Sequence, residues 1–192
     1  TFYNKAAAYN TLQRATATHY IGLRIQETDG TQRMQFGVAG QSNDIVSGSA
    51  QHDVVLKAYN ANLILATNAT ERLRIDSSGR LLIGTTASRT TNSHTPALQI
   101  SGTNYHKSTV QIINNANDMT GAYLFFGKQR SGSPGGNTIA QNGDIVGQLR
   151  FSIADGTDME NQCAQIEARV DGTPGSNDTP GRLQFYTTPD NS

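Results

Sequence analysis

The feature that most constrains this chain is a period-two alternation of apolar and polar residues that recurs along most of its length. In DIVGQLRFSI (144–153), Ile145, Leu149, Phe151 and Ile153 share one face with Gly147 between them, while Val146, Gln148, Arg150 and Ser152 take the other. Successive side chains on a strand point to opposite sides, so this alternation predicts a strand with one buried face. CAQIEARV repeats it, with Ala164, Ile166, Ala168 and Val170 predicted inward and Gln165, Glu167 and Arg169 outward. YIGLRIQE, from residue 20, sets Ile21, Leu23 and Ile25 against Gly22, Arg24 and Gln26. Shorter strands are predicted at 34–38, 54–59, 63–66, 72–75, 81–83, 110–113, 123–126 and 183–186. The expected fold class is therefore all-β, built from short antiparallel strands.

Turn chemistry falls between these strands. Asp29-Gly30, Asn142-Gly143, Asp155-Gly156 and Asp171-Gly172 favour tight reversals because Gly, Asn and Asp tolerate positive φ, and Ser78-Gly79 is expected to do the same. Only the Ala-rich stretch 5–17 has helical propensity, and it lacks an apolar stripe. Two long segments, 128–143 and 171–181, carry three of the five prolines and read as loops. Exposed loops on a rigid β scaffold commonly carry binding, so 128–138 and 172–181 are the expected recognition regions. The small polar run TTASRTTNSHTP (85–96) reads as a break. The organisation expected is an N-terminal segment 1–18, a first β module 19–85, a polar linker 86–96 and a second β module 97–192. The modules carry a partial echo: Leu63, Leu65 and Thr67 fall on Leu183, Phe185 and Thr187. On that echo the second module is expected to be cut short at its C-terminal end.

Composition enters through the core. Leu, Ile, Val and Phe number 38 of 192 residues, against 22 Thr, 16 Asn, 14 Ser, 14 Gln and 19 Gly. That is near the compositional edge of disorder, but 15 basic and 15 acidic residues give a net charge of zero, and disorder needs high net charge as well. A folded, turn-rich chain with a thin core follows. No apolar run reaches the length of a membrane-spanning helix, and no Lys/Arg cluster supplies the footprint of a nucleic-acid binder. No basic stretch followed by an apolar run marks a secretory signal. The single cysteine, Cys163, excludes an intrachain disulfide framework.

The stretch TERLRIDSSGRLLIGT (70–85) resembles the ERLRI-D-SSG-R-x-x-IGT segment that recurs in bacteriophage tail fibres and tailspikes. GDIVGQLRFSIADGTD (143–158), followed by AQIEARVDGTPGSNDTPGRLQFYTT (164–188), is similar to a pattern frequent in fibre-like proteins of tailed phages, marine and cyanobacterial ones included. The likeness spans roughly residues 60–190. It implies an elongated, intertwined homotrimer attached to the tail or baseplate, assembled in the host cytoplasm and located in the virion. It implies a role in host adsorption or in the fibre shaft and its connection to the tail, with a host surface glycan or outer-membrane receptor as partner. Many such fibres end in a cleaved intramolecular chaperone, which this sequence does not display. A thin core fits the same architecture, since strands are then stabilised by burial against other copies.

Fibre proteins are either inert adhesins or glycan-cleaving tailspikes, so the chemistry-bearing residues bear on both. Glycosidases need two carboxylates about 5–10 Å apart, one with a raised pKa. The densest acidic cluster is Asp155, Asp158 and Glu160, which reads as a hydrated turn, with a calcium site and a glycosidase pair as the sharper alternatives. His19, His52, His94 and His106 are far apart and form no HxH or HExxH pattern. Cys163 has no His or Asn fixed around it, and no GxSxG, GxxxxGK[ST] or GxGxxG motif occurs. SGSPGG (131–136) opens no helix and reads as a flexible loop. Without Trp, the aromatic candidates for stacking on sugar are Tyr105, Tyr123 and Tyr186. No catalytic, metal or cofactor residue is assigned, no cofactor is expected, and the receptor-binding residues are left unknown. A non-enzymatic virion protein is expected, with a tailspike or a capsid or neck decoration protein as the alternative.

Overall fold

The computed structural model describes residues 18–190, so the Ala-rich stretch 5–17 lies outside the described residues. Among these the chain is all-β, with ten strands and one 3-10 turn at Tyr105–Lys107. It divides into two units, Thr1–Ala87 with Ala97–Gly102, and Ser88–Pro96 with Thr103–Ser192.

The first unit holds two sheets. Strands β1 (Ile21–Gln26), β2 (Gln32–Val38) and β3 (Val54–Ala58) form an antiparallel meander. Asp29-Gly30 makes the first reversal, with Gly30 at φ 85° donating to the Glu27 carbonyl at 3.0 Å. Strands β4 (Leu63–Thr67), β5 (Thr70–Ile75), β6 (Leu81–Ile83) and β7 (Leu98–Ile100) form the second sheet in that order. The β6–β7 pair is parallel, which corrects the expectation of antiparallel strands throughout. The crossover 84–97 supplies the length a parallel connection needs.

The ERLRI-D-SSG-R-x-x-IGT residues build the β5–β6 hairpin. Glu71 accepts two hydrogen bonds from the Arg74 guanidinium at 2.8 and 2.6 Å. Asp76 Oδ1 accepts from the Ser78 and Arg80 amides at 2.9 and 3.0 Å, and its Oδ2 accepts from Arg80 Nε at 2.7 Å. Gly79 takes the positive φ (79°) that the tight turn requires. Gly84 stands at φ 74°, and a Cβ there would lie 2.2 Å from the Ser101 carbonyl oxygen, so β6 and β7 leave no room for a side chain at this point. The motif is a folding signal for one hairpin and its neighbour, not a set of reactive groups.

The second unit holds one antiparallel sheet, β10 (Gly181–Thr187), β9 (Gln162–Val170) and β8 (Ile145–Ser152). The polar stretch read as a linker contains a closed hairpin here. Thr91 and His94 exchange main-chain hydrogen bonds at 2.9 and 3.0 Å across Asn92 and Ser93, both at positive φ. The Ser93 amide donates to Glu160, and Arg150 donates to Asn92 Oδ1 at 3.1 Å. The boundary drawn at 97 also shifts, because β7 joins the first unit by pairing with β6.

Each sheet has one apolar face. In the first, Leu23, Phe36 and Leu56 stand in register across three strands. In the second, Leu65, Leu73, Ile83 and Ile100 make one row, and Leu63, Ile75, Leu81 and Leu98 make the next. In the third, Leu149, Ile166 and Phe185 align, beside the rows Phe151–Ala164–Thr187 and Gly147–Ala168–Leu183. The faces of the first and third sheets are largely uncovered, with Leu23, Phe36, Leu56, Leu149, Phe151, Leu183 and Phe185 all exposed, whereas in the second Leu65, Ile75 and Leu98 are exposed and Leu63, Leu73, Leu81, Ile83 and Ile100 are half-buried. The predicted burial of Ile145, Leu149, Phe151 and Ile153 is thereby corrected, since all four are exposed. Polar residues on the opposite faces are covered instead, with Gln35 and Glu167 each only 2% exposed. Among the described residues the buried apolar core is Ala39, Ile45, Leu82 and Val170. A domain is ordinarily two packed layers; here the apolar layers of the first and third sheets are unpartnered among the described residues.

The predicted strands at 110–113 and 123–126 are not strands in this chain. No neighbouring strand is placed to bond them, and a run of apolar residues without a ladder partner has nothing to make it a sheet member.

Candidate functional site

The two loops singled out by composition converge on one cleft in the second unit. The loop 171–180 joins β9 to β10 and is tied on itself. Asp171 donates its amide to the Pro180 carbonyl at 3.1 Å, and Gly175 and Asp178 exchange main-chain bonds at 2.9 and 3.2 Å. Gly172, at φ 131°, brings Pro180 within 3.3 Å of where a Cβ would stand, and its amide donates to Asn142 Oδ1 at 2.9 Å. Arg182 donates to Asp171 at 2.5 Å and closes the loop's base.

The other loop is clamped by Arg130, whose guanidinium donates twice to Asp144 at 2.7 and 2.6 Å. Asp144 also accepts from the Gln141 amide at 3.0 Å. The Arg130 hydrogen bonds, then the Gln141 amide, hold the Asp144 carboxyl far below the ordinary carboxylate range. Between these anchors Arg130 donates its amide to the Thr138 carbonyl at 3.1 Å, and Gly132 and Gly135 supply two positive-φ positions.

The cleft between the loops has a volume of about 710 Å³. That lies within the roughly 300–1,000 Å³ of small-ligand sites. Its polar walls come from Gln129, Asn137, Thr138 and Thr179, its cations from Lys128, Arg169 and Arg182, and its apolar floor includes Ile139, Val146 and Leu183. Amides and hydroxyls both donate and accept, which suits a hydroxyl-rich ligand. No carboxylate lines the cleft, so a glycosidase acid and base pair cannot be drawn from its walls.

The acidic cluster sits elsewhere and holds a turn. Asp155 Oδ1 accepts from the Thr157 and Asp158 amides at 2.8 and 3.1 Å, and its Oδ2 accepts from Asn161 at 2.7 Å. Those main-chain bonds, Thr157's first, lower the Asp155 pKa, the opposite of what a general acid needs. Asp158 accepts from the Glu160 amide at 2.9 Å, and Glu160 accepts from the Ser93 amide and hydroxyl. Among the described residues no group of three or more His, Cys, Asp or Glu is placed to hold a metal ion. His52 sits at φ 75° and donates its amide to the Ala39 carbonyl at 2.9 Å; His106 lies 4.0 Å from the Tyr105 ring. His94 lies in its hairpin, beside a second hollow of about 540 Å³ lined also by Asn92, Gln148 and Arg150. Cys163 donates its thiol to the Phe151 carbonyl at 3.2 Å. Tyr123 stacks on Phe125 at 5.5 Å, and Tyr186 stands opposite Gln165 on β9; neither lines the cleft.

Sequence reasoning missed the polar cluster beneath the third sheet. Glu167 accepts from Gln148, from Gln165 Nε2 at 2.8 Å and from Arg169 Nε at 2.7 Å. The Arg169 hydrogen bond, then that of Gln148, lowers the Glu167 pKa. The signal was present, because the alternation already put these residues on one face. Arg169 links this cluster to the cleft wall. No protein-family model and no curated protein matches the chain.

Proposed function

We propose that the chain is a structural virion protein of a phage tail fibre, a homotrimer that takes part in host adsorption or in the fibre shaft and its connection to the tail. The observation that carries this reading is the apolar face left open, among the described residues, on the first and third sheets. The exposed residues of their in-register rows, Leu23, Phe36 and Leu56 on one and Leu149, Phe151, Leu183 and Phe185 on the other, are covered in this reading by further copies of the chain.

The resemblance of residues 70–85 and 143–188 to tail-fibre segments supports the class of assembly. The cleft of loops 128–140 and 174–183 is the place proposed for a receptor glycan. Its single-site affinity is multiplied when several copies engage one cell surface.

The test is the mass of the purified chain by light scattering, with the same sample assayed for attachment to a panel of bacterial cells. A trimer that attaches supports an adsorption role, and a trimer that attaches to none supports a shaft or connector. A stable, cooperatively melting monomer at micromolar concentration overturns the reading.

A further inference from the structure

We propose that the hollow between β8 and the 88–96 hairpin binds a carboxylated sugar, with the carboxylate seated on Arg150. The site lies within the second unit, shares no lining residue with the cleft of loops 128–140 and 174–183, and does not depend on the fibre reading.

The alternation of β8 puts Gln148, Arg150 and Ser152 on the face opposite Leu149 and Phe151, and all three line the hollow. Its volume of about 540 Å³ falls in the range of small-ligand sites. The other wall is the hairpin closed by Thr91 and His94, and it is docked, not loose. The Asn92 amide donates to the Met159 carbonyl at 3.2 Å, and the Ser93 amide donates to Glu160. Arg150 ties the two walls together. Its Nε donates to Gln148 Oε1 at 2.9 Å and its Nη1 to Asn92 Oδ1 at 3.1 Å.

Those partners are neutral, and this sets Arg150 apart from the paired arginines. Arg33, Arg74, Arg80, Arg130, Arg169 and Arg182 each meet a carboxylate, whereas among the described residues Arg150 meets two side-chain amides. No carboxylate lines the hollow. The two bonded to its surrounding elements are engaged, Glu167 by Gln148, Gln165 and Arg169, and Glu160 by the Ser93 amide and hydroxyl. The amides orient the guanidinium without neutralising it. They occupy two of its five N–H donors, and the remaining three suffice for both oxygens of a carboxylate.

An exposed ion pair alone contributes little, so the rest of the ligand must meet the walls as well. His94 Nδ1 bonds the Asn92 carbonyl, which only accepts, so the neutral ring carries its proton there and keeps Nε2 as an acceptor. With the Ser152 hydroxyl, this supplies the donors and acceptors that sugar hydroxyls use, and Pro96 adds an apolar surface for a ring. A neutral sugar would leave the Arg150 charge unanswered, and a simple apolar acid would leave the hydroxyl and imidazole unanswered. A carboxylate carried on a polyhydroxylated ring answers both.

Saturation-transfer NMR on the full chain tests this, with glucuronate, galacturonate and N-acetylneuraminate as probes and glucose and acetate as controls. At about 10 mM, above the millimolar constants expected of a small exposed site, at least one sugar acid should take saturation. It should bind about tenfold or more tightly than either control. Arg150→Gln should weaken that binding about tenfold or more at an unchanged melting temperature, while Arg72→Gln, an exposed arginine of the first unit, leaves it as it was. His94→Ala, at an exposed side chain, should weaken it several-fold and reads the same site should Arg150→Gln fold poorly. Saturation of none of the three acids overturns the inference, and so does equal binding of glucose or acetate. Full-strength binding in either folded variant places the acid elsewhere and overturns this site, while the fibre proposal stands.

Discussion

Phe185 on β10 stands directly opposite Ile166 on β9, which in turn stands opposite Leu149 on β8, and Phe185 is 71% exposed. An aromatic ring in register with two branched aliphatics is the arrangement of a sheet core, yet nothing among the described residues covers it. Phe185→Ser should therefore cost the single chain little, because it removes no buried contact. It should weaken assembly, with the dissociation concentration rising about tenfold or more. Sedimentation of wild type and variant over a dilution series reads both; equal dissociation would remove the third sheet from the interface.

Glu167 makes the opposite case, a charge covered within its own chain. It is satisfied by Gln148, Gln165 and Arg169, so neutralising it leaves the Arg169 guanidinium without its ion pair in a covered site. Glu27 pairs with Arg33 where both side chains are half exposed. Glu167→Gln should lower the melting temperature clearly, and Glu27→Gln hardly at all. Equal shifts in calorimetry would show that the cluster is not a structural anchor.

How much was legible follows from the range of each signal. Alternation marked β8, β9 and β1, and Asx-Gly pairs marked turns whose glycines, Gly30, Gly143, Gly156 and Gly172, all take positive φ, because strand and turn propensities are local. Which face is covered is not local. Alternation places Ile145, Leu149, Phe151 and Ile153 inside, and no layer among the described residues covers them. The same holds for 110–113 and 123–126, whose sequence is that of strands but which meet no ladder partner among the described residues. β7 was missed for another reason: three residues after Pro96 carry too little period, and its partner β6 lies across a long parallel crossover. At the site, loop composition located both walls of the cleft, while the contributions of Arg169 and Arg182 came from strand ends that no local signal marked.

Gly84 tests the reading of the ERLRI…IGT stretch as a folding signal. Its φ of 74° is one that side chains rarely adopt, and the Ser101 carbonyl fills the space a methyl would need. Gly84→Ala should destabilise the first unit by about 1–3 kcal/mol, the cost typical of a strained backbone position. Leu82, two residues before it and 1% exposed, should cost about 3 kcal/mol when cut to Ala. Denaturant melts of the two variants check this. A neutral Gly84→Ala would mean that β6 and β7 separate without penalty.

The Arg130–Asp144 clamp gives the pH prediction. The Asp144 carboxyl is depressed in the folded chain by the guanidinium, so folding favours its ionised form. The stability this contributes is fully present above the unfolded carboxyl value of about 3.9 and is lost as pH falls through the lower folded value. Asp155 and Glu167 are shifted in the same direction, by main-chain amides and by Arg169 respectively, so acid loosens the second unit at several points together. The loop 129–143 should therefore stay closed from neutral pH down to about pH 4 and open only in stronger acid. In Asp144→Ala it should exchange roughly tenfold faster even at neutral pH, since Arg130 and the Gln141 amide then lose their common acceptor. Hydrogen exchange of peptides from this loop, after brief incubation at each pH, reads both. If the variant protects the loop as well as the wild type does, the clamp does not shape the cleft, and the wall formed by Gln129, Asn137 and Thr138 must be held by the main-chain bond between Arg130 and Thr138 instead.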